Sequence, residues 1–206
     1  MSPPVDMIAI LRGITPARAP ETGLALVDAG FRSLEVPLNS PDAFRSIELL
    51  ARAHPECRIG AGTVLAPADV DRVRDAGGQL VVSPNVDGDV IRRAVSLDLR
   101  MLPGVATATE AFLALKAGAS CLKLFPASTY GAGHLRALKS VLPAGVPVYP
   151  VGGIGPQDIA TWLAAGADGF GFGSELFRPA YTLQDVVQRA RSLFEALRIA
   201  KDSAAL

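Results

Sequence analysis

The sequence has 206 residues, half of them hydrophobic, and its 20 basic and 20 acidic side chains give a formal net charge of zero. A neutral chain has no global attraction to nucleic acid or to an anionic membrane, so neither is expected as a partner. The length suits one domain, residues 1–206, and two cysteines, Cys57 and Cys121, are too few for a disulfide framework or a four-thiolate zinc site.

Strand-like and helix-like segments alternate eight times along the chain. Each strand is a short apolar run, and many of the helices open near a proline. The predicted strand and helix pairs are 5–11 with 17–29, 33–37 with 41–53, 58–61 with 67–76, 79–82 with 87–97, 100–102 with 107–117, 120–126 with 132–141, 146–151 with 156–165, and 169–173 with 183–197. The chain after Arg198 is predicted to be frayed.

Regular alternation of this kind predicts a parallel α/β sheet, and eight units in one domain predict a (β/α)8 TIM barrel. An open doubly wound sheet is the alternative. It is disfavoured because the segment after the first strand, Arg12-Gly13-Ile14-Thr15, lacks the glycine-rich dinucleotide fingerprint. No linker or second domain is recognisable.

The sixth strand carries a lysine inside an apolar run, Ser120-Cys121-Leu122-Lys123-Leu124-Phe125-Pro126. Alternation places Cys121, Lys123 and Phe125 on one face of the strand. An amine among apolar neighbours loses hydration, which lowers its pKa toward the range in which it attacks a carbonyl as a Schiff-base nucleophile. The alternative is a lysine that extends to solvent from a strand end or pairs with a buried carboxylate.

Other polar residues stand in or just after the strands, where barrel enzymes place their active sites. They are Arg12, Glu35, Thr63 and the segment Ser83-Pro84-Asn85. Alternation directs Glu35 into the barrel, where a carboxylate is costly unless it is paired or functional. A structural ion pair with Arg12 or Lys123 is the competing interpretation. Asn39 and Ser40 precede Pro41 and are predicted to cap the second helix.

Two glycine-rich segments follow the seventh and eighth strands, Val151-Gly152-Gly153-Ile154-Gly155 and Gly171-Phe172-Gly173-Ser174. Glycines let backbone amides approach an anion, and these two loops form the recurrent phosphate site of the barrel. The alternative is a pair of tight turns without a ligand. Both loops together favour phosphate.

Metal and cofactor chemistry is not predicted. His54 and His134 have no second histidine at ligand spacing and are predicted to be surface residues. Lys116, Lys139 and Lys201 are predicted to be solvated helix positions.

Six motifs together resemble the class I aldolases of the KDPG and KDPGal family, and the resemblance runs nearly end to end. The motifs are Ile8-Ala9-Ile10-Leu11-Arg12-Gly13, Leu34-Glu35-Val36, Gly60-Ala61-Gly62-Thr63-Val64, Ser83-Pro84-Asn85, Leu122-Lys123-Leu124-Phe125-Pro126 and Gly152-Gly153-Ile154.

The resemblance implies a role for each of these positions. Lys123 is implied to be the Schiff-base residue and Glu35 the general acid and base. The substrate-binding residues that it implies are Arg12 and Thr63 at the carboxylate, Pro84 and Phe125 along the pocket, Val151 near the sugar hydroxyls, and Gly152, Gly153, Gly173 and Ser174 at the phosphate.

Two departures resemble the galactonate branch of the family. The gluconate-type enzymes have Glu-Val-Thr-Leu-Arg where this chain has Glu35-Val36-Pro37-Leu38-Asn39, and a threonine where it has Val151. Loss of that threonine hydroxyl removes a hydrogen-bonding option near the sugar hydroxyls. Asn39 is the expected replacement for the missing arginine.

The activity implied is cleavage of 2-dehydro-3-deoxy-6-phosphogalactonate to pyruvate and D-glyceraldehyde 3-phosphate by a cytoplasmic homotrimer without a cofactor. Its partners are therefore a phosphorylated keto-deoxy sugar acid and pyruvate. The alternatives are the gluconate epimer or use of both epimers, a barrel isomerase with Glu35 as base, and a noncatalytic sugar-phosphate-binding barrel.

Overall fold

The computed structural model describes residues 5–204; residues 1–4 and 205–206, the two ends of the predicted domain, lie outside this range. All strands in it run parallel to their neighbours. The strands are β1 Asp6–Ile10, β2 Ser33–Pro37, β3 Arg58–Gly62, β4 Leu80–Val82, β5 Arg100–Leu102, β6 Gly104–Val105, β7 Leu122–Leu124, β8 Val148–Pro150 and β9 Gly169–Phe172. The predicted parallel α/β arrangement is confirmed.

The strands form a curled sheet in two hydrogen-bonded parts, one in the order β5-β4-β3-β2-β1-β9 and one in the order β6-β7-β8. Pro103 alone separates β5 from β6, and its carbonyl accepts a hydrogen bond from the Lys123 amide at 2.9 Å. A single parallel bridge between Val151 and Gly171 connects the end of β8 to β9.

The α-helices follow the strands in the predicted order, with a short 3-10 helix at Pro156–Asp158. They are α1 Ala19–Ala29, α2 Ala43–Ala53, α3 Pro67–Asp75, α4 Gly88–Ser96, α5 Ala108–Lys116, α6 Ala127–Lys139, α7 Ile159–Ala164 and α8 Leu183–Ala204. α5 begins with a capping box, in which Thr107 Oγ1 accepts from the Glu110 amide and the Glu110 carboxylate accepts from the Thr107 amide. No helix within residues 5–204 is both long enough and apolar enough to cross a bilayer.

Two predicted helix bounds are wrong. α6 begins at Ala127 and is interrupted at Gly131, which has φ 78° and ψ 165°. α8 does not fray after Arg198 but continues to Ala204, because the Arg198 guanidinium pairs with Glu195 and Asp202 on its own helix.

The core follows the alternation of the strands. Leu122 and Leu124 belong to the large apolar cluster that includes the buried helix residues, so one face of β7 packs on the helices. Cys121 belongs to a smaller cluster with Ile8, Leu80, Val82, Leu102 and Tyr149, which lies on the opposite face of the strands. The predicted division of the β7 side chains between two faces is therefore correct.

A polar network ties the strands together where they begin. The Asp6 carboxylate on β1 binds Arg100 at 2.6 Å and Arg58 at 3.5 Å, and it accepts a hydrogen bond from Ser33 at 3.0 Å. Arg100 also donates to the Tyr149 hydroxyl on β8. Five strands thus meet through one carboxylate and one guanidinium.

Two predictions of surface exposure are wrong. His54 is only 7% exposed, because it packs on Gly23 of α1, where glycine leaves room for the imidazole ring. Lys139 is not simply solvated: its amine binds the Gly166 carbonyl at 2.7 Å and the Asp168 carboxylate at 2.6 Å. His134 is half-buried and hydrogen-bonds the Ala106 carbonyl at 2.6 Å.

Candidate active site

A cavity of about 620 Å³ opens where the strands end. Its position follows from the parallel sheet, which brings the carboxyl ends of all strands to the same edge. Ten of the twelve predicted site residues line it: Arg12, Glu35, Thr63, Lys123, Phe125, Val151, Gly152, Gly153, Gly173 and Ser174. The structure thus brings together residues that are up to 162 positions apart in the sequence.

Lys123 projects into this cavity from the centre of β7 and is only 7% exposed. Burial disfavours the ammonium form and lowers the pKa of Lys123 to about 8, although the charge of Glu35 opposes this shift. The amine lies 4.5 Å from the centre of the Phe125 ring. Near neutral pH the neutral, nucleophilic amine is therefore much more populated than in an ordinary lysine with a pKa of 10.5.

Glu35 reaches the same cavity from β2 and is 2% exposed. Burial raises the pKa of its carboxyl group to about 7, against the opposing charges of Lys123 and Arg12. Among the described residues no hydrogen-bond donor reaches its Oε2 atom, and no cation lies within 4.0 Å of the carboxylate. Glu35 and Lys123 therefore influence each other electrostatically without forming a direct ion pair.

Gly62 at the end of β3 gives the Glu35 carboxylate its space. A Cβ atom at position 62 would overlap both carboxylate oxygens and the carboxyl carbon of Glu35. Only glycine is compatible with the observed position of this side chain.

Arg12 lies at the cavity mouth just after β1, and its guanidinium is hydrogen-bonded to Asn39. The Arg12 guanidinium donates to Asn39 Oδ1 at 2.7 Å, and the neighbouring Gly13 amide donates to Ser40 Oγ at 2.9 Å. Asn39 does not itself line the cavity. The predicted capping role is wrong, because α2 starts later and its N-cap residue is Asp42.

Thr63 lines the cavity with a left-handed backbone conformation, φ 56°. This region is unfavourable for a β-branched residue, so the surrounding structure must maintain it. Such strain is typical of residues whose side chains are held for a function.

Pro84 is the second predicted residue that does not line the cavity. Its carbonyl oxygen lies so close to Gly104 that a Cβ atom at position 104 would collide with it. Pro84 therefore packs between β4 and β6.

Part of the cavity wall is built from the loops after β8 and β9. Gly152 and Gly153 both have positive φ, 101° and 70°, and a Cβ atom on Gly153 would collide with Ser128. The amide of Ser128 in turn donates to the Gly152 carbonyl at 3.0 Å. Gly173 and Ser174 face these glycines, so the two predicted loops do converge.

Several lining residues were not predicted, chiefly the segment after Ser174: Glu175, Phe177, Arg178 and Pro179. The sequence offered one usable signal, a basic residue four positions after Ser174 in the loop that follows the last strand. Ile10, Gly13, Ile154 and Gly171 complete the wall. Within residues 5–204 no group of three or more His, Cys, Asp or Glu side chains is arranged to hold a metal ion.

The family described as "Aldolase: KDPG and KHG aldolase" matches residues 5–191. The chain belongs to this aldolase family. The aldolase is therefore a carbon-carbon lyase, and its curled parallel sheet is the fold of that family.

Individual relatives are similar over almost the whole aldolase. The 2-dehydro-3-deoxy-6-phosphogalactonate aldolase of Escherichia coli strain K12 is 47% identical over 195 residues, 94% of this chain and 95% of that protein. A solved "native KDPGal structure" has a TM-score of 0.95 at 45% identity and covers 98% of both chains. A cube-shaped protein cage designed by fusing symmetric oligomeric domains has a TM-score of 0.97 at 45% identity, over 98% of this chain and 76% of that one.

Proposed function

We propose that this aldolase cleaves 2-dehydro-3-deoxy-6-phosphogalactonate into pyruvate and D-glyceraldehyde 3-phosphate through a Schiff base on Lys123. The observation that carries the proposal is the buried Lys123 amine, with its pKa lowered to about 8, beside the buried Glu35 carboxyl, with its pKa raised to about 7. Two groups that titrate this close to neutrality in one cavity can exchange protons with a substrate.

Lys123 forms the covalent bond. Its neutral amine attacks carbon 2 of the substrate, the carbonyl oxygen takes up protons and leaves as water, and a cationic iminium remains. When the bond between carbons 3 and 4 breaks, its electron pair moves into the iminium and produces an enamine. The burial of Lys123 favours the neutral amine that begins this sequence.

Glu35 moves the protons. As carboxylate it accepts the proton of the carbon-4 hydroxyl, directly or through a water, while carbon 4 becomes the aldehyde of glyceraldehyde 3-phosphate. It then returns that proton to carbon 3 of the enamine, and hydrolysis of the resulting iminium releases pyruvate. A pKa of about 7 suits both steps, because the carboxylate and the carboxylic acid are both populated near neutral pH.

Two groups of lining residues suit the two anionic ends of the substrate. Arg12 can offer a fork of two donors to the carboxylate, and the strained Thr63 stands on the same wall. At the other end, Gly152, Gly153, Gly173 and Ser174 offer backbone amides and a hydroxyl for the phosphate.

Selectivity for the galactonate epimer is assigned to the wall beside β8. Val151 lines the cavity and packs against Gly171, so it presents methyl groups where a threonine would present a hydroxyl. The two epimers differ in the direction of the carbon-4 hydroxyl, and a hydroxyl on the wall would favour one direction. We expect Val151→Thr to shift the ratio of kcat/KM values toward the gluconate epimer by about tenfold.

The test combines covalent trapping with turnover. The protein is incubated with pyruvate and borohydride, and its intact mass and peptide map are determined. We expect a reduced pyruvyl adduct on Lys123 that persists in the control Lys116→Ala, an exposed lysine on α5, and disappears in Lys123→Ala. An enzyme-coupled assay on the two pure epimers then gives the substrate preference.

The possible outcomes are distinct. An adduct with faster cleavage of the galactonate epimer supports the proposal, whereas faster cleavage of the gluconate epimer contradicts the role given to Val151. Binding without an adduct and without turnover would indicate a noncatalytic barrel. Turnover without an adduct would indicate an isomerase that uses Glu35 alone.

We further propose that the curled sheet closes as a (β/α)8 barrel in a single domain, residues 1–206, with β5 and β6 as one strand interrupted at Pro103. Pairing of β1 with both β2 and β9, and the bridge between Val151 and Gly171, support closure. A crystal structure without hydrogen bonds between the strands that contain Val148 and Gly169 would contradict it.

The proposed assembly is a cytoplasmic homotrimer. The likeness to a cage of symmetric oligomeric domains supports an oligomer, and two free buried cysteines suit a reducing compartment. Light scattering after size-exclusion chromatography would test the trimer, and a mass of one or two chains would exclude it.

A further inference from the structure

The segment from Ser174 to Tyr181, which follows β9, carries a cation, Arg178, that has no role in the proposed reaction. Arg178 lines the same cavity as Ser174 and Gly173. Its Nε atom donates to the Ser174 carbonyl at 3.2 Å. Within residues 5–204 its two terminal nitrogens donate no hydrogen bond, and no carboxylate lies within 4.0 Å of the guanidinium. The donor fork is therefore available to a ligand.

A phosphate group bound in this cavity would require a positive charge close to it. A phosphate monoester carries a charge of about −1.5 to −2 near pH 7. Arg12, just after β1, and Lys123, on β7, serve the keto-acid end of the substrate, whereas Glu175 adds a negative charge in the loop after β9. Among the described lining residues, Arg178 is the cation that belongs to this loop.

The loop is held in place before any ligand arrives, because arginine and tyrosine side chains satisfy its carbonyl groups. Arg18 donates to the carbonyls of Pro179 and Tyr181 at 2.6 and 2.7 Å. Arg189 donates to the Glu175 carbonyl at 3.2 Å, and the Tyr181 hydroxyl donates to the Ser174 carbonyl at 3.3 Å.

The guanidinium itself is positioned by an aromatic ring. The Tyr181 ring lies close to two guanidinium groups, and its centre is 5.7 Å from that of Arg178 and 4.3 Å from that of Arg189. Contacts of this type fix a cation without occupying its hydrogen-bond donors. A donor fork that is already oriented costs little entropy when it binds an anion.

We propose that Arg178 binds the phosphate group of the substrate and makes the enzyme select phosphorylated over unphosphorylated keto-deoxy sugar acids. This role rests on the proposed function, since it assigns the phosphate end of the same cavity. Tyr181 and Arg189 are positioning residues that act through Arg178 and the loop.

The test compares Arg178→Gln with Arg191→Gln, which removes the same charge from an exposed arginine on α8. We expect Arg178→Gln to raise KM for the phosphorylated substrate by about 10- to 100-fold, the usual effect of losing charge-assisted hydrogen bonds. Arg178→Lys keeps the charge without the fork, so its KM should fall between those of wild type and Arg178→Gln. Kinetic constants for the unphosphorylated acid and the rate of pyruvate trapping on Lys123 should not change.

Inorganic phosphate provides a second readout that needs no turnover. Its binding constant, measured by calorimetry, should weaken by about tenfold or more in Arg178→Gln and stay unchanged in Arg191→Gln. Equal KM values in the two variants, or equal losses with both substrates, would overturn the proposal. A third outcome is also informative. If Arg178→Gln weakens phosphate binding but the wild-type protein forms no pyruvate adduct, the phosphate site is supported and only the aldolase chemistry is overturned.

Discussion

At the level of single residues, burial moves the pKa values of Lys123 and Glu35 toward each other, to about 8 and about 7. Neither side chain forms an ion pair with a close partner among the described residues, and both are buried. Desolvation therefore accounts for both shifts, and the mutual attraction of the two charges only limits their extent.

The first prediction concerns the pH dependence of imine formation. Because only the neutral amine attacks, the rate of pyruvate-dependent reductive trapping with cyanoborohydride should rise through pH 8 and then level off. Glu35→Gln removes the negative charge that raises the pKa of Lys123, so the midpoint should move to lower pH. The same variant should lose about 10²–10⁴-fold in kcat. A midpoint near 10.5, the ordinary value for lysine, would show that the amine is hydrated.

The second prediction concerns Gly62. A methyl group at this position displaces the Glu35 carboxylate, so Gly62→Ala should lower kcat by at least about tenfold and cost about 1–3 kcal/mol of stability through overpacking. Kinetics and urea unfolding measure the two effects. The matched control is Gly133→Ala on α6, where a Cβ atom meets nothing within 4 Å. If both variants keep the wild-type kcat, the site does not depend on the position of Glu35.

At the level of strands and helices, patterns with a strong local cause were predictable. The Leu-Lys-Leu run of β7 specified which face holds Lys123, and Glu35 between Leu34 and Val36 followed the same rule. Long-range contacts were not predictable. His54 is buried against Gly23 of another helix, and the loop that carries Arg178 is held in part by Arg18, which is distant in the sequence.

The third prediction concerns the loop after β8. Gly153 has a left-handed backbone, and a side chain there would collide with Ser128, so Gly153→Ala should shift the loop. We expect KM for the phosphorylated substrate to rise by about tenfold while pyruvate trapping on Lys123 is retained. Parallel kinetic and trapping assays would reveal the opposite case, in which trapping is lost and the loop also supports the amine.

At the level of the whole molecule, the two ends of the strands have different tasks. The Asp6 network lies where the strands begin, and the cavity lies where they end. Stability and activity should therefore respond to different substitutions.

The fourth prediction follows from this separation. Asp6→Asn leaves the half-buried Arg100 without its carboxylate. It should lower the free energy of unfolding, measured in guanidinium chloride, by about 1–3 kcal/mol and leave kcat/KM unchanged. Asp89→Asn breaks an exposed pair with Arg92 on α4 and should stay within about 0.5 kcal/mol of wild type. If Asp6→Asn loses more activity than the loss of folded protein explains, the Asp6 network and the cavity are coupled, which contradicts the separation.

The pairing of β1 with β9 also orders events during synthesis. Asp6 is paired with Gly169, and Arg18 donates to the Tyr181 carbonyl, so the first strand and the start of the first helix have partners that are synthesised 163 residues later. Until then the edge of β1 is open to chaperones or to other nascent chains. A ribosome-bound chain that stops before Gly169 already contains Glu35 and Lys123 but neither Ser174 nor Arg178. Affinity for a phosphorylated ligand should therefore appear only after β9 and the loop that follows it have been synthesised.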